Sequence, residues 1–237
     1  MEFVTDSSKI VCHGSSRISV IIPTWNEENQ VVPCIRSVRL ALPDAEVVVV
    51  DGGSHDRTVP QARGEGVKVI QSARGRGIQM RVGAQMASGG ILLFLHADTL
   101  LPEGAQVVLK EWFIRREVQI AKFALRFDAS HWLLNFYSQF TRWDSLWTTF
   151  GDQGLAIRKD FYESLGGFPP WPLFEDVYLL QQARKRTQIH CLPLCVTTSA
   201  RRFLKEGIVR QQWRNARMIL MYLCCVSPQE LYAKYKI

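Results

Sequence analysis

Two polar side chains come directly after a buried strand near the middle of the chain. The run Ile91 to Leu95 is apolar throughout, as in a strand covered on both faces of a sheet, and His96 and Asp98 follow it. Residues two apart in an extended chain point to the same side. At the carboxyl end of a strand in an open α/β sheet, such a pair lies where ligands bind. A solvated strand end without a ligand is the alternative interpretation.

Asp51 ends a second apolar strand, whose residues 46–50 contain four consecutive valines. The two glycines that follow allow the backbone to turn, and Ser54 or Asp56 could cap the next helix. A carboxylate at this place can accept hydrogen bonds from a base or a ribose. A turn-and-cap cluster that binds no ligand is an equally good interpretation.

Charged residues also gather at two predicted helix starts. Three arginines and two glycines lie between Arg74 and Arg81, a composition suited to phosphate, although Met80 stands where a dinucleotide fingerprint needs its third glycine. A solvated basic turn is the alternative there. Glu175 and Asp176 form an acidic pair at the other helix start. The helix dipole favours acids at this position, and a general base would look the same in sequence.

The spacing of apolar residues predicts the elements that would position these side chains. In the first hundred residues, strands alternate with helices, which is typical of a doubly wound, mainly parallel α/β sheet with helices on both faces. The first helix is expected to open at Asn26, a capping residue followed by two acids. The predicted strands cover residues 17–23, 46–50, 67–70 and 91–95.

The pattern of strands and helices changes in the second half of the sequence, but no linker separates the two halves. We therefore expect the second half to extend the same sheet. It begins with a predicted helix from Glu103 to Arg116 and a strand from Ala121 to Asp128. The aromatic-rich segment after them predicts an amphipathic helix whose Trp132, Phe136 and Phe140 pack in the core. A binding role for these rings is the alternative. Further strands are expected at 155–158 and 189–198, with helices beginning at 175 and 206.

Composition and charge narrow the class of protein. The 237 residues are 47% hydrophobic and 22% charged, as in an ordinary globular domain, and the net charge of +7 favours anionic ligands. The basic residues are spread along the chain, which argues against a nucleic-acid-binding arm. Met218–Val226 is too short to span a membrane, and Met1–Gly14 lacks the pattern of a signal peptide. Six cysteines without a C-x-x-C pair indicate reduced thiols, and we expect a cytoplasmic protein.

Five stretches of the chain occur in a fixed order. Together they indicate a protein family more specifically than any one stretch does alone. The first two read S-V-I-I-P-T-W-N-E-E at 19–28 and V-V-V-V-D-G-G-S-H-D-R-T at 47–58. The others are L-F-L-H-A-D at 93–98, the run G-L-A-I-R-K-D-F-Y-E-S-L-G-G-F at 154–168, and E-D at 175–176. Together they resemble the family 2 glycosyltransferases, which have the Rossmann-like GT-A fold. H-A-D-T, G-D-Q-G and T-T-S-A-R-R are closer still to small soluble bacterial members associated with radical-SAM and arsenosugar-biosynthesis genes.

The resemblance implies roles for residues near the first strands. Pro23, Thr24 and Glu27 would line a nucleotide pocket. Asp51 would hydrogen-bond uracil or an equivalent base, and Arg76 would approach the diphosphate. The donor would then be a nucleotide-diphosphate sugar, which we expect to be a UDP-sugar.

On the same resemblance, Asp98 would bind the Mg²⁺ or Mn²⁺ that bridges the diphosphate. His96 stands where the family usually has its first aspartate, which favours Mn²⁺ without excluding Mg²⁺. Asp176 would be the general base that deprotonates an acceptor hydroxyl, and Glu175 could cap the helix or orient a neighbour. The acceptor side would include Asp152, Gln153 and Arg201.

The activity implied by the resemblance is inverting, metal-assisted transfer of a sugar to a hydroxyl-bearing acceptor. It would be non-processive, since the Q-x-x-R-W motif of processive synthases is absent from the chain. One GT-A domain is expected over 1–237, with a nucleotide-sugar-binding half at 17–100, an acceptor and catalytic half at 101–205, and C-terminal helices at 206–237. Neither a nucleic-acid partner nor a transmembrane segment is expected, and peripheral contact with a membrane is compatible with this reading.

Two other functions stay open. A sugar nucleotidyltransferase shares the topology, but its glycine-rich loop would follow the first strand, where residues 23–26 read P-T-W-N. A non-catalytic nucleotide-sugar-binding protein of the same fold is the other candidate. Loss of Asp98 or of the acidic pair would favour that second alternative, and both features are present.

Overall fold

A computed structural model of the chain describes residues 16–145, 148–149 and 151–235. The expectations for Met1–Gly14, which includes Cys12, lie outside the described residues. The other five cysteines are free thiols, as the sequence predicted.

One mixed sheet of eight strands runs through the described part of the chain. Its strands are β1 Ile18–Thr24, β2 Glu46–Asp51, β3 Lys68–Gln71, β4 Ile91–Phe94, β5 Thr99–Leu100, β6 Ile120–Phe127, β7 Leu155–Arg158 and β8 His190–Thr198. They lie in the order β3-β2-β1-β4-β7-β6-β8-β5. The four strands predicted for the first hundred residues are confirmed as β1 to β4 and pair in parallel. The second half extends the same sheet, but β7 lies antiparallel between β4 and β6.

Helices flank this sheet. They are α1 Val31–Ala41, α2 Thr58–Gly64, α3 Arg76–Met86, α4 Ala105–Lys110, α5 Trp132–Phe140, α6 Lys159–Ser164, α7 Glu175–Arg184, α8 Arg201–Glu206, α9 Ile208–Leu223 and α10 Pro228–Tyr235. A π-helical turn, Glu111–Arg115, continues α4, and a 3₁₀ turn, Gly151–Gln153, precedes β7. Among the residues that the structure describes, every helix is too short or too polar to cross a bilayer.

Both faces of the sheet are covered, because successive strand residues point to opposite sides. In β1, Val20 and Ile22 belong to the same buried cluster as Val38 of α1. Ile21, between them, belongs to the opposite cluster, which includes Met80 of α3. This two-sided core confirms the doubly wound α/β architecture. It also leaves the carboxyl ends of β1, β2 and β4 together at one edge.

The first helix begins later than the sequence predicted. α1 starts at Val31 rather than at Asn26, because Asn26 is engaged by the loop after β2. Its backbone N–H donates to Ser54 Oγ at 2.9 Å, and its Oδ1 accepts from the His55 N–H at 2.9 Å. Asn26 has a φ of 53°, which is outside the helical region. The residue that looked like a helix cap therefore joins two loops at the edge of the sheet.

The predicted core packing of the aromatic segment is wrong. The helix α5 forms, but Trp132 is 75% exposed, Phe136 54% and Phe140 42%. Leu134 is the buried residue of this helix. The Phe136 and Phe140 rings pack edge to face on each other, with centroids 5.0 Å apart. The aromatic face of α5 therefore lies on the solvent side.

Candidate active site

Asp51 is the centre of a hydrogen-bonded turn at the end of β2. It is fully buried and pairs in register with Thr24 of β1. Its Oδ1 accepts from Thr24 Oγ1 at 3.1 Å and from Ser54 Oγ at 2.5 Å. Its Oδ2 accepts from the N–H groups of Gly53, at 2.9 Å, and Ser54, at 2.8 Å. These contacts are those of a turn-and-cap cluster, and a base that bonded Asp51 would have to replace one of the four donors.

Replacing Asp51 by alanine should lower the free energy of unfolding by about 1–3 kcal/mol, because buried donors lose their acceptor. Affinity for UDP should fall as well, by roughly 1–3 kcal/mol, because the loops around the nucleotide lose their anchor. Urea denaturation and calorimetric titration with UDP measure the two effects. Asp44→Ala, at an exposed position, is the matched control. Unchanged UDP affinity in a folded Asp51→Ala variant would remove Asp51 from the nucleotide pocket.

Gln79 joins α3 to the first two strands, although the sequence analysis did not single it out. It is buried, and its Nε2 donates to the carbonyl oxygens of Thr24, at 2.7 Å, and Val50, at 2.9 Å. A Cβ on Gly52 would lie 3.1 Å from the Gln79 side chain, so a larger residue there would crowd the Gln79 amide. The only sign in the sequence is a polar residue directly before Met80, on the buried face of the helix.

Glu27 and Arg201 form an ion pair that joins the two ends of the chain. Arg201 Nη2 lies 3.2 Å from Glu27 Oε2. Burial raises the pKa of Glu27, Arg201 opposes this rise, and nearby Asp98 adds to it. Two residues that the sequence assigned to different substrates, donor and acceptor, are thus in contact. Pro23 lies one residue before the end of β1, in register with Val50.

The arginine-rich turn before α3 packs on the first loop. The Arg74 guanidinium carbon lies 3.4 Å from the centroid of the Trp25 ring, in a cation–π contact. Trp25 is 38% exposed. This contact could not be predicted from the sequence, because the two residues are far apart in the chain. They form the outer edge of the loops that surround Asp51.

His96 and Asp98 lie beyond β4, at the edge that the sequence predicted. The buried Nε2 of His96 has no hydrogen-bond partner among the described residues. Burial, with Arg76 nearby, lowers the pKa of His96 to about 3, so its imidazole is neutral at physiological pH. Burial also raises the pKa of Asp98, against the opposing effect of Arg201 and Arg76. A neutral imidazole nitrogen without a partner and a partly buried carboxylate are both ready to bind a ligand.

Arg76 and Glu175 form an ion pair across the site. Arg76, at the start of α3, donates from Nε to Glu175 Oε1. Burial disfavours the charge on Arg76, but Glu175 and Asp176 outweigh this and raise its pKa. The helices come close because residue 77 is glycine: a Cβ there would lie 2.6 Å from the Pro169 carbonyl oxygen. Of the two roles predicted for Glu175, capping the helix or orienting a neighbour, its bond to Arg76 fits the second.

Phe174, directly before the acidic pair, has an unusual backbone conformation. It has a φ of 62°, in the left-handed region, although it is not glycine. The ring is buried and stacks on Tyr222, with centroids 4.8 Å apart. Tertiary packing therefore holds a strained backbone directly before Glu175 and Asp176, as often occurs at functional sites.

Asp152 and Asp176 meet in this cluster. Burial, Asp176 and Asp98 together raise the pKa of Asp152 to about 6, against the opposing effect of Arg76. The buried Oδ1 of Asp152 has no partner among the described residues. Asp176 is 4% exposed, and its Oδ1 accepts from the Val177 N–H at 2.8 Å. The structure thus brings together residues 98, 152 and 176, which come from three parts of the sequence.

Gln153 has a structural place beside this cluster. It is buried, its Oε1 accepts from Lys122 Nζ at 2.8 Å, and its Nε2 donates to the Thr148 carbonyl. Lys122 also donates to the Thr141 carbonyl at 2.5 Å. Burial lowers the pKa of Lys122 to about 8. A buried lysine in the centre of β6 thereby anchors the segment that carries Asp152.

The donor atoms suit a divalent cation that is shared with a substrate. Among the described residues, no three His, Cys, Asp or Glu side chains converge on a point where they alone would hold a metal. A cation that binds nucleotide phosphates needs only one or two protein carboxylates, since phosphate and water complete its shell. Asp98 and the neutral His96, whose Nε2 has no partner among the described residues, supply such a partial set. A positive ion would also relieve the repulsion between the carboxylates.

The acidic cluster predicts a pH dependence of stability. The pKa of Asp152 is raised on folding, so its favourable contribution is complete below about pH 4 and is lost as the pH rises through about 6. Over this range, the unfolding free energy of the wild type should fall relative to that of Asp152→Asn, which has no charge to bury. Urea denaturation of both proteins between pH 4 and 7 measures the difference. A difference that does not change with pH would contradict the raised pKa.

Similarity to known proteins identifies the family of this chain. A family model described as glycosyl transferase family 2 matches residues 19–166, more than half of the sequence. The chain belongs to glycosyltransferase family 2. Its 4,4'-diaponeurosporenoate glycosyltransferase relative from Staphylococcus haemolyticus is 26% identical over 185 residues, which are 74% of this chain and 48% of that protein. The chain therefore spans about half the length of this relative.

Solved structures of glycosyltransferases share the GT-A fold. S. aureus TarS 1–349 in complex with UDP has a TM-score of 0.65 at 18% identity, over 77% of this chain and 60% of that one. The mannosyltransferase PcManGT from Pyrobaculum calidifontis, in complex with GDP-Man and Mn²⁺, has a TM-score of 0.66 at 20% identity, over 93% and 69%. At these identities the likeness concerns the fold. The fold class and the family predicted from the sequence are thus confirmed.

Proposed function

We propose that this member of the family transfers a sugar from a nucleotide-diphosphate donor to a hydroxyl group of an acceptor. The observation that carries the proposal is the cluster of Asp98, Asp152 and Asp176 around Arg76. It lies at the carboxyl edge of the sheet, where the chain order reverses between β1 and β4. Open α/β sheets bind ligands at this switch point. Three carboxylates and one arginine supply the charges that a diphosphate, a cation and a hydroxyl nucleophile require.

The donor would lie along the loops after β1 and β2. Pro23, Thr24 and the Asp51 turn would form the nucleotide end of the pocket, with Glu27 at its border. Arg76 bonds Glu175 through Nε. Its two Nη groups are then the ones to meet the diphosphate, as in other bidentate arginine–phosphate contacts. UDP is the nucleotide that we propose.

Asp98 would hold a divalent cation, Mn²⁺ or Mg²⁺, with His96 as a second protein ligand. When bound, the cation would neutralise charge on the departing diphosphate. The neutral state of His96 suits this task, because a metal ligand must have a free lone pair. Holding the carboxylates together would otherwise cost folding free energy through their repulsion.

Asp176 would act as the general base. The acceptor oxygen would attack the anomeric carbon from the face opposite the diphosphate, so a new C–O bond forms as the bond to the diphosphate breaks and the configuration inverts. The hydroxyl proton would pass to the Asp176 carboxylate and the bonding electrons to the diphosphate. One sugar would be transferred per acceptor, without processivity.

The finer assignments are also proposals. Similarity of the H-A-D-T, G-D-Q-G and T-T-S-A-R-R segments supports a place among the bacterial transferases associated with radical-SAM and arsenosugar-biosynthesis genes. Residues 17–100 would form the donor half, 101–205 the acceptor and catalytic half, and 206–237 the C-terminal helices of one domain. We also propose a cytoplasmic location.

A panel of nucleotide-sugars, screened by thermal shift with and without Mn²⁺, tests the proposed function. A true donor should stabilise the protein by about 2.7 kcal/mol at a hundredfold excess over Kd. Release of UDP that depends on an acceptor alcohol would then establish transfer. Stabilisation by a nucleoside triphosphate with release of pyrophosphate would instead indicate a nucleotidyltransferase. Donor binding without any turnover would indicate the non-catalytic alternative.

A further inference from the structure

A cavity of about 360 Å³ lies between β6, α5, α8 and α9. Its walls are mainly apolar and aromatic. The principal wall residues are Leu125, Phe127, Phe136, Phe140, Phe203 and Ile219. Polar side chains, among them Gln212 and Asn215, complete the lining. A mainly apolar wall with some polar groups is typical of sites for small organic molecules. At about 30 Å³ for the volume of one liquid water, the cavity has room for roughly a dozen non-hydrogen atoms.

One member of the acidic cluster, Asp152, lies at one side of this cavity. Asp152 and Gln153 both line it. The Gln153 amide bonds Lys122 and the Thr148 carbonyl, so it is satisfied within the protein. The buried Oδ1 of Asp152 has no partner among the described residues. Asp152 is also close enough to Asp176 for the latter to raise its pKa. A hydroxyl group in the cavity that bonded Asp152 would therefore lie beside the proposed general base.

The charge of the lining restricts the kind of ligand. Among the described residues that line the cavity, Asp152 is the one ionisable acid, and none is lysine or arginine. A phosphate or carboxylate would have no cation to pair with and would face a carboxylate, which is unfavourable in a partly buried site. A neutral molecule with an apolar body satisfies these walls.

The cavity also reaches the protein surface through an aromatic border. Phe136 is 54% and Phe140 42% exposed, although both line the cavity. Ala216, on the facing helix α9, is exposed as well. Aromatic side chains exposed beside an apolar cavity mark a binding site rather than ordinary surface. The unexpected exposure of the α5 rings thus has an explanation.

We propose that this cavity is the acceptor subsite and that it takes an uncharged alcohol with an apolar body. The apolar part fills the aromatic cavity, and the hydroxyl group donates to the Asp152 carboxylate at its polar end. This assignment of the substrate class rests on the proposed function, since it uses Asp176 as the neighbouring base. It differs from a phosphorylated acceptor, which would need cationic partners in the walls.

Binding of simple alcohols to the full chain tests the cavity without any donor. Each methylene transferred from water contributes about 0.8 kcal/mol, so calorimetry should show 1-hexanol binding about 15-fold more tightly than 1-butanol. Glycerol is the polar control and should bind more weakly than either. Equal affinity for 1-hexanol and 1-butanol would overturn the proposal.

Two variants locate the binding. Ala216→Phe fills the cavity from α9 and should lower the affinity for 1-hexanol about tenfold or more, because the new ring would occupy the space that the alkyl chain needs. Val107→Phe, at an exposed position on α4 outside the cavity, is the matched control and should bind like the wild type. Phe136→Ser, at a half-exposed position, is the second test if Ala216→Phe folds poorly, and it should also weaken 1-hexanol binding. Wild-type affinity in both folded cavity variants would place the alcohol elsewhere.

Transfer assays separate this inference from the proposed function. With a donor identified, kcat/KM should rise from 1-butanol to 1-hexanol in the wild type and not in Ala216→Phe, while UDP affinity stays equal. If the wild type binds alcohols in the cavity but binds no nucleotide-sugar, the proposed function fails, and the acceptor assignment falls with it while the apolar site stands. If transfer occurs with kcat/KM independent of alkyl length, the function stands and the apolar acceptor class is wrong.

Discussion

The Asp176→Asn variant should transfer sugar more slowly by on the order of 10²–10⁴-fold, which is the usual contribution of a positioned general base. Asparagine keeps the shape of the side chain and can still accept from the Val177 N–H, so α7 should form as before. Donor affinity should stay near that of the wild type, because the loss concerns proton transfer. Single-turnover rates and calorimetric Kd values for the donor measure the two quantities separately.

Glu175→Gln is the matched control for Asp176→Asn. The two residues are adjacent in α7, but Glu175 is bound to Arg76. Its neutral variant should loosen Arg76 and weaken the binding of the diphosphate, with a smaller loss in the chemical step. A Glu175→Gln enzyme that loses the chemical step and keeps donor affinity, beside an active Asp176→Asn, would reverse the two roles. Wild-type rates in both variants would mean that the acidic pair is only a helix start.

Asp98→Ala should abolish the increase in UDP affinity that Mn²⁺ gives to the wild type. Asp98 is the partly buried carboxylate nearest in sequence to the end of β4, and Arg201 and Arg76 already act on its charge. Without it, the proposed cation would keep only His96 as a protein ligand, and diphosphate charge would be left to the arginines. Calorimetric titration with UDP in Mn²⁺ and in EDTA measures the effect directly, without any acceptor.

His96→Ala gives the graded comparison for Asp98→Ala. Its neutral imidazole has an unpartnered Nε2, so its loss should weaken the Mn²⁺ effect or shift preference toward Mg²⁺, which favours oxygen ligands. Thermal unfolding of each variant in EDTA controls for loss of fold. An affinity for UDP that is the same in Mn²⁺ and EDTA for the wild type would show that nucleotide binding does not need a metal.

The sequence predicted the part of the molecule that depends on local pattern. The strands β1 to β4 are apolar runs bounded by turn residues, so their positions and the edge that carries Asp51, His96 and Asp98 could be derived. A strand of four residues such as β7 could also be found. Its antiparallel direction could not, because direction depends on the path of the chain between distant elements.

Contacts between residues that are far apart in the chain could not be predicted from the sequence, for the same reason. Arg76 and Glu175 are separated by 99 residues, and either would look like an ordinary helix-start charge alone. Lys122 resembles a surface residue in an alternating strand, yet it is buried by carbonyl groups from a later segment. The left-handed backbone of Phe174 could not be predicted, because bulky residues rarely adopt this conformation. In each case tertiary packing overrides the local preference.

The central position of β7 also affects how the chain reaches its native state. β7 hydrogen-bonds to residues Ile91–Phe94, more than sixty positions earlier, and β5 pairs with Thr197 and Thr198 near the end of β8. Pairings between distant segments close large loops and are slow to form. We expect β1 to β4 to associate first during synthesis, with the free edge of β4 exposed until β7 arrives. That edge is then the point at which incomplete chains would aggregate, and the aspartate cluster assembles only after this late step.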